Sequence, residues 1–406
     1  VRIYSGGAHI DRISMKLRRF KYLKPRRILI LVLITTLSSM LFSITALSLL
    51  GFYRGFTTYL GEGGDILAVY DRKSRTPFTG LVPAYLAEKI NALNGVLAGS
   101  PEVIVPGIVK GESVFLRGVV PDDFTKLNVL TILEGGMLGL NDLNYVIVGR
   151  NLAERLRLNL NDKVLALGVL SGRYMELKVK GVFVSHSPMD DEILAPLYVG
   201  QWLRGADYGY VTLIRFKIDR NLITPSRVFE EIAREASEPA SGPPTSKESP
   251  PSSITPRVIA RFRVEDIGVE EAYNFMRGYM DRYGLTRESL LILSAMVFLF
   301  SGASVAAASK TIIEQHRGEI NVLRSLGGSR RLLKVDMLFK LLPWSVAASF
   351  IGFVMAAAVL SVIQGGGYLR VLSHTVPLQF DPLVAVLNPV LVTLLISISV
   401  LRGDLG

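Results

Sequence analysis

SLLILSAMVFLFSGASVAAAS, residues 289–309, holds no charged side chain, and it runs straight into KTIIEQHRGEINVLRSLGGSRRLLKVDMLFK, residues 310–340. Crossing the hydrocarbon core of a bilayer takes roughly 20 apolar helical residues. Residues 289–309 meet that length. Three further stretches do the same without a charge: Ile28–Phe52, Leu341–Leu369 and Leu383–Leu401. They predict an α-helical membrane protein with transmembrane helices at 28–52, 289–309, 341–363 and 383–401. Of its 406 residues, 49% are hydrophobic and 20% charged, less charge than the quarter usual for a soluble domain. An ordinary water-soluble protein is excluded.

The placement of Lys and Arg orients the spans. Before the first come Arg2, Arg12, Lys16, Arg18, Arg19, Lys21, Lys24, Arg26 and Arg27 against one Asp11. Residues 310–340 add a second basic run, whereas residues 364–382, between spans three and four, offer only Arg370. Both basic segments fall on one side, which puts 1–27 and 310–340 in the cytoplasm with a tail at 402–406, and 53–288 outside. The net charge of +11 therefore reads as membrane topology, with a lipid bilayer and no nucleic acid as partner. The first span follows a basic region, as a signal peptide does. Its apolar run exceeds the roughly 7–15 residues of a signal core and no clean cleavage site follows, so it is read as a retained helix. Ile10, Ile13, Leu17 and Phe20 recur at helical spacing among basic residues up to Pro25. They suit either an amphipathic interfacial helix or a plain basic flank.

No span contains Asp, Glu, Lys, Arg or His, the groups that proton- and ion-coupled carriers place at mid-membrane. The spans instead carry small residues at helix-packing intervals: Gly302 and Ala306, and Ala348, Gly352 and Ala356. Such residues let backbones approach closely, either within one chain or across a dimer seam.

Residues 53–288 read as an α+β domain. Strands are expected at Asp65–Tyr70, Val103–Val109 and Ser113–Val119, with a helix from Pro83 to Asn94 whose first residue suits the N1 position. Val211–Ile218, a helix at Ser226–Ala236, a strand at Arg257–Val264 and a helix at Val269–Tyr283 complete a second β-α-β pass. The two passes suggest a ferredoxin-like core. Between them, about 124–205, short strands with Gly and Asn turns predict a small β-rich insert. Residues 237–256 are Pro- and Ser-rich and read as a flexible loop. Asp122-Asp123 and Asp190-Asp191-Glu192 are read as solvated turns.

In 310–340, Ile313, Ile320, Leu323 and Leu326 share one helical side, with Glu314, Arg317 and Arg324 elsewhere on the wheel. Gly327-Gly328 ends that helix, and Ser329 is placed to cap the next. A short amphipathic helix jutting into the cytoplasm suits docking into a groove of a soluble partner or resting on lipid headgroups.

The run Arg317-Gly318-Glu319-Ile320-Asn321-Val322-Leu323-Arg324-Ser325-Leu326-Gly327-Gly328-Ser329 closely resembles the FtsX/MacB-type permease family of ABC transporters, whose pattern here is approximately R-x-E-I-G-V-L-R-A-L-G-A-S. The resemblance extends outward. Gly149-x-x-Leu152-Ala153-x-x-Leu156, Asn161-Asp162-Lys163-Val164 and Val179-x-Gly181-Val182-Phe183 look like the family's G-x-x-L-A-x-x-L, G-D-x-V and V-x-G-V-F, with Pro196-Leu197 and Trp202-Leu203 in continuation. Asn161 and Asn321 stand where glycine is usual, the Pro/Ser insert is extra, and the tail is short. The resemblance implies a MacB-like outer core domain and a coupling helix, Glu314, Arg317, Glu319, Ile320, Leu323, Arg324, Leu326, Gly327 and Ser329, seated on an ABC ATPase subunit. It also implies a second permease copy or homologue as partner. ATP and Mg would belong to the ATPase, because this chain has no G-x-x-x-x-G-K-[ST] to cradle phosphates. No cofactor is expected in this chain.

Other classes fit less well. His9, His186, His316 and His374 form no H-E-x-x-H, and no histidine lies in a span to activate Ser304 as a nucleophile. The chain is read as non-catalytic, with an ATP-independent receptor or envelope anchor as the alternative. The topology is open to a direct check, since the chain has no cysteine. Thr245→Cys should react with an impermeant thiol reagent from outside, and Ser325→Cys only after the inner face is opened. Outside labelling of Ser325→Cys would reject the orientation.

Overall fold

Hydrocarbon offers no water to a peptide group, so apolar runs of this length close their backbone hydrogen bonds as helices. The computed structural model describes residues 25–61, 64–139, 141–237, 266–325, 329–366, 369–371, 373–376 and 380–402. The amphipathic segment expected before Pro25, nearly all of the Pro/Ser-rich loop and the strand expected at 257–264 lie outside them. The chain divides into a helical unit (Val1–Tyr53, Leu285–Tyr368, Val376–Gly406) and an α/β unit (Arg54–Gly284, Leu369–Thr375).

Helix α1 (Pro25–Thr57) leads into strands β1 (Ile66–Asp71) and β2 (Val82–Pro83), helix α2 (Leu86–Asn91), and strands β3 (Val96–Val109) and β4 (Glu112–Val119). Next come α3 (Pro121–Leu127), β5 (Thr131–Gly135), β6 (Tyr145–Gly149), α4 (Arg150–Leu156), β7 (Lys163–Gly168) and β8 (Tyr174–Val184). A 3-10 turn (Pro188–Asp191) precedes β9 (Glu192–Pro196), α5 (Leu197–Arg204), β10 (Tyr210–Val211) and β11 (Leu213–Ile218). The rest is α6 (Pro225–Ser237), β12 (Ile267–Glu271), α7 (Ala272–Arg282), α8 (Arg287–Gln315), α9 (Arg317–Ser325), α10 (Arg330–Gly365), the hairpin β13 (Arg370–Val371) and β14 (His374–Thr375), and α11 (Pro382–Arg402).

Among the described residues, helices α1, α8, α10 and α11 are the four long and apolar enough to cross a membrane. Leu33, Leu37, Leu299, Phe300 and Val354 point outward from the bundle, as lipid-facing positions do. Inside it, Phe42 and Phe298 meet edge to face at 5.5 Å. The small residues close two seams within this chain. A Cβ on Gly302 would stand 2.5 Å from Leu395 of α11, and the Ala306 carbonyl accepts from Ser399 Oγ at 3.1 Å. A Cβ on Gly352 would stand 2.5 Å from the Thr36 carbonyl of α1, while Thr36 Oγ1 donates to the Ala348 carbonyl at 3.3 Å. Ala348 and Ala356 are fully buried. Asn388 ties three helices, its Nδ2 donating to Ser43 Oγ and to the Ser349 carbonyl at 3.2 Å each.

In the α/β unit, β12-β1-β11-β3 form antiparallel neighbours. With α2 between β1 and β3 and α6 between β11 and β12, this is the strand order of the ferredoxin-like split β-α-β. The sheet then continues through β4, β9, β6, β8 and β5, with β7 paired to β3 and β8, so the β-rich middle segment extends the same ten-stranded sheet. Helices α2 and α6 cover one face through Leu86, Ile90, Val228 and Ile232. The other face carries Ala68, Tyr70, Ile104, Phe115 and Leu213 under α7 and the Tyr59-Leu60 segment.

Four expectations need correction. Pro83 does not open a helix: it pairs with Tyr210 in the short β2–β10 ladder, and α2 begins at Leu86. The fourth core strand is Ile267–Glu271, which takes the start of the helix expected from Val269; cross-strand pairing with β1 overrides local propensity there. Asp122 and Asp123 lie in the first turn of α3, where carboxylates complement the helix dipole. Asp190, Asp191 and Glu192 are buried rather than solvated.

Overpacking a tight helix contact costs about 1–3 kcal/mol. Gly352→Leu should therefore lower the melting temperature of the detergent-solubilised chain, and Val354→Leu, at an outward position, should leave it unchanged. Equal melting of the two variants would contradict the α1–α10 seam.

Candidate functional site

Two regions concentrate polar groups under constraint. The first is the segment between α8 and α10. Helix α8 stops at Gln315, and His316, fully buried, turns its Nδ1 to within 2.8 Å of the Ile312 carbonyl. The chain restarts as α9, with Glu319 in its first turn. Ile320 and Leu323 are buried in one cluster with Ile312 and Ile313 of α8 and Leu333 and Met337 of α10. The apolar strip is thus turned into the bundle, because these side chains find other helices before any partner. This corrects the picture of a freely jutting helix. Arg317, Gly318, Asn321 and Val322 face solvent, as does Glu314, 3.8 Å from Lys310. Glu319 and Arg324 are half-buried. Ser329 Oγ accepts from the Leu332 N–H at 3.3 Å and starts α10. Leu326 and Gly327 lie outside the described residues.

The second region is a buried charge cluster in the α/β domain. Strand side chains alternate between faces. Val103, Leu116, Ile193 and Ile214 belong to the α2/α6 side, so Glu102, Arg117, Glu192 and Arg215, each next to one of them, all point to the opposite face. There they pair across β11-β3-β4-β9. Arg117 Nη1 donates to Glu102 Oε2 at 2.6 Å, and its Nε donates to Glu192 Oε2 at 2.8 Å. Arg215 Nε donates to Glu102 Oε1 at 2.6 Å, its Nη1 to the Leu60 carbonyl at 2.9 Å and its Nη2 to Asn128 Oδ1 at 3.2 Å. The Tyr59 hydroxyl donates to Glu192 Oε1, and Arg117 lies over the Tyr59 ring at 4.9 Å. The arrangement balances two carboxylates against two guanidinium groups.

Burial alone would push the Glu192 carboxyl up, but the Arg117 charge and the hydrogen bonds from His374 and Arg117 outweigh it and hold the group well below the usual carboxylate range. Burial likewise opposes the Arg117 charge, yet Glu192, Tyr59 and Glu102 hold the guanidinium above its ordinary value. Burial is the main cause that keeps the Tyr59 phenol protonated, far above its ordinary range.

Asp190 and Asp191 have local tasks. Asp190 Oδ1 accepts from Ser185 N at 2.5 Å and Ser185 Oγ at 2.7 Å, closing the turn before β9. Asp191 pairs with Arg155 at 3.0 Å. Sequence reasoning passed over the cluster and misread its acidic end. A partial signal was present: Glu102 and Arg117 stand inside otherwise apolar strand stretches, whereas Glu192 follows two aspartates and Arg215 lies two residues from Lys217.

Because the folded Glu192 carboxyl ionises below its unfolded value, its contribution is complete above the ordinary carboxylate range and is lost as pH falls through and below it. The melting temperature should drop as pH falls below about 5, and Glu192→Gln should melt lower at neutral pH with a shallower acid dependence. Arg117→Met, which removes the guanidinium shared by two buried carboxylates, should cost about 3–5 kcal/mol. Identical acid profiles for wild type and Glu192→Gln would refute this account.

Comparison with known proteins bears first on the bundle. Residues 291–402 match the family model of the FtsX-like permease C-terminal region. That range holds nearly all of α8 together with α9, α10 and α11. Among solved structures, the chain is similar to the periplasmic region of MacB from Actinobacillus actinomycetemcomitans, at 13% identity over 55% of this chain and 94% of that one, with a TM-score of 0.36. It is also similar to the extracellular domain of the noncanonic ABC-type transporter YknZ from Gram-positive bacteria, at 13% identity over 42% of this chain and 90% of that one, TM-score 0.32. A domain of a putative permease protein from Porphyromonas gingivalis follows at 14% identity, 42% and 82% coverage, and TM-score 0.29. A comparison with curated proteins gives no match. Over residues 291–402, the chain is therefore similar to the C-terminal region of FtsX-like permeases.

Proposed function

We propose that the chain is the membrane subunit of an ABC-type transporter, passing motion from a separate ATPase subunit to its α/β domain on the outer side. The observation that carries this is the match of residues 291–402, which include α9, to the FtsX-like permease family. In this reading α9 is the coupling helix, the ATPase holds ATP and Mg, and a second permease copy or homologue completes the assembly. The packing of α9 supports the role. Its exposed side offers Arg317, Asn321 and Val322 to a partner, while Ile320 and Leu323 root it among α8 and α10. A push on the exposed side is therefore delivered to two spans rather than dissipated in a loop. The charge-free spans agree with mechanical transmission or extrusion from the outer face in place of a polar conduit.

Purification of the tagged full chain from its source membranes should bring down an ATP-hydrolysing protein. Arg317→Glu and Val322→Asp, both at exposed positions, should preserve expression and melting. Each should weaken ATPase association about tenfold or more, equivalent to about 1.4 kcal/mol. An assembly with no ATPase, or full association of both variants, would reject the proposal and favour a receptor or envelope anchor.

A further inference from the structure

Part of the connection between α10 and α11 does not group with the helices that flank it. Residues 369–375 group with the α/β domain. They make a hairpin of two residues per strand, with Arg370 opposite Thr375 and Val371 opposite His374. A two-stranded ribbon this short does not hold itself together in water. Side chains of the domain hold it instead.

Four ties act within six residues. His374 Nε2 lies 2.9 Å from Glu192 Oε1. The Thr375 N–H donates to Asp191 Oδ2 at 2.8 Å. Arg155 Nη1 reaches the Ser373 carbonyl at 3.4 Å while pairing with Asp191 at 3.0 Å. Arg370 Nη1 stands 3.5 Å from Glu112 Oε2, which also faces Arg155 Nε at 3.4 Å. The imidazole sits in an aromatic seat, edge-on to Tyr59 at 5.0 Å and tilted on Phe115 at 5.1 Å. Only 11% of the His374 side chain remains exposed, and the Glu192 side chain beneath it is wholly covered.

We propose that the β13–β14 hairpin is a latch that fastens the α/β domain to the connection between α10 and α11, with His374 and Thr375 as the bolt and Glu192 and Asp191 as the catch. The domain thereby gains an attachment besides its chain connections to α1 and α8. A displacement of α10 or α11 that pulls on the hairpin is delivered to Glu192 at the head of β9. From there it passes through Arg117 and Glu102 to β4 and β3, since these groups share hydrogen bonds. Only the purpose of the latch, carrying ATP-driven motion, rests on the function proposed above. Its existence does not.

The experiment uses the full chain in lipid nanodiscs, without nucleotide or partner. Hydrogen exchange should find the Thr375 amide slowed at least about 30-fold relative to a free peptide. His374→Ala should remove most of that protection, and His374→Gln, which keeps a donor toward Glu192, should restore it. A role in general stability would instead move β3 and β4 amides in step with Thr375. An independent probe uses the partly exposed pair Glu112 and Arg370. Glu112→Cys with Arg370→Cys, in a chain with no native cysteine, should cross-link through a short bifunctional reagent in high yield. Free-peptide exchange at Thr375 in the wild type, protection unmoved by His374→Ala, or absence of the cross-link would each overturn the latch. None of these readouts needs an ATPase, so a failed search for that partner would sink the functional proposal and leave the latch to its own tests.

Discussion

A guanidinium sealed inside a protein must find acceptors for its donors, because water is no longer there to supply them. Arg117 meets this demand with a carboxylate on each flanking strand, Glu102 on β3 and Glu192 on β9. The demand then propagates. The second oxygen of Glu102 takes Arg215, and Arg215 takes the Leu60 carbonyl from the segment that follows α1. Glu192 takes the Tyr59 hydroxyl and His374. One buried charge thus obliges four strands, the segment after the first span and the loop before the last to converge on a single point.

What such a cluster supplies is register more than stability. Desolvating ions consumes much of their mutual attraction, and an apolar core of equal shape often serves as well. A one-residue slip of any of the four strands, however, would turn its charge into the face occupied by Val103, Leu116 and Ile214. The cost of an unpaired ion there excludes the slipped pairing.

The helical unit is held by the opposite means. Lipid is as apolar as a leucine side chain, so association there depends on shape and a few hydrogen bonds rather than on removal of surface from water. Gly302 and Gly352 permit the close approaches, and Asn388 adds a polar tie among three helices. Through Ile320 and Leu323 the same packing reaches α9, which binds the cytoplasmic segment of the proposed function to the bundle.

Properties that sum over neighbouring residues were legible in the sequence. The four spans followed from charge-free length, and the split β-α-β core from alternating strand and helix signals. The run Arg317–Ser329 carried the likeness to the permease family. Pairings between distant residues were not legible. Glu192 and Arg117 are 75 residues apart, and His374 lies 182 residues from Glu192. Asp190-Asp191-Glu192 therefore read as a solvated turn when taken alone. The inward turn of Ile320 and Leu323 was hidden for the same reason, since an amphipathic strip looks alike whether its own bundle or another protein covers it. Local composition determines which elements form and what medium they tolerate. Only the folded chain decides which charge meets which, because that depends on strand register and helix packing across the whole molecule.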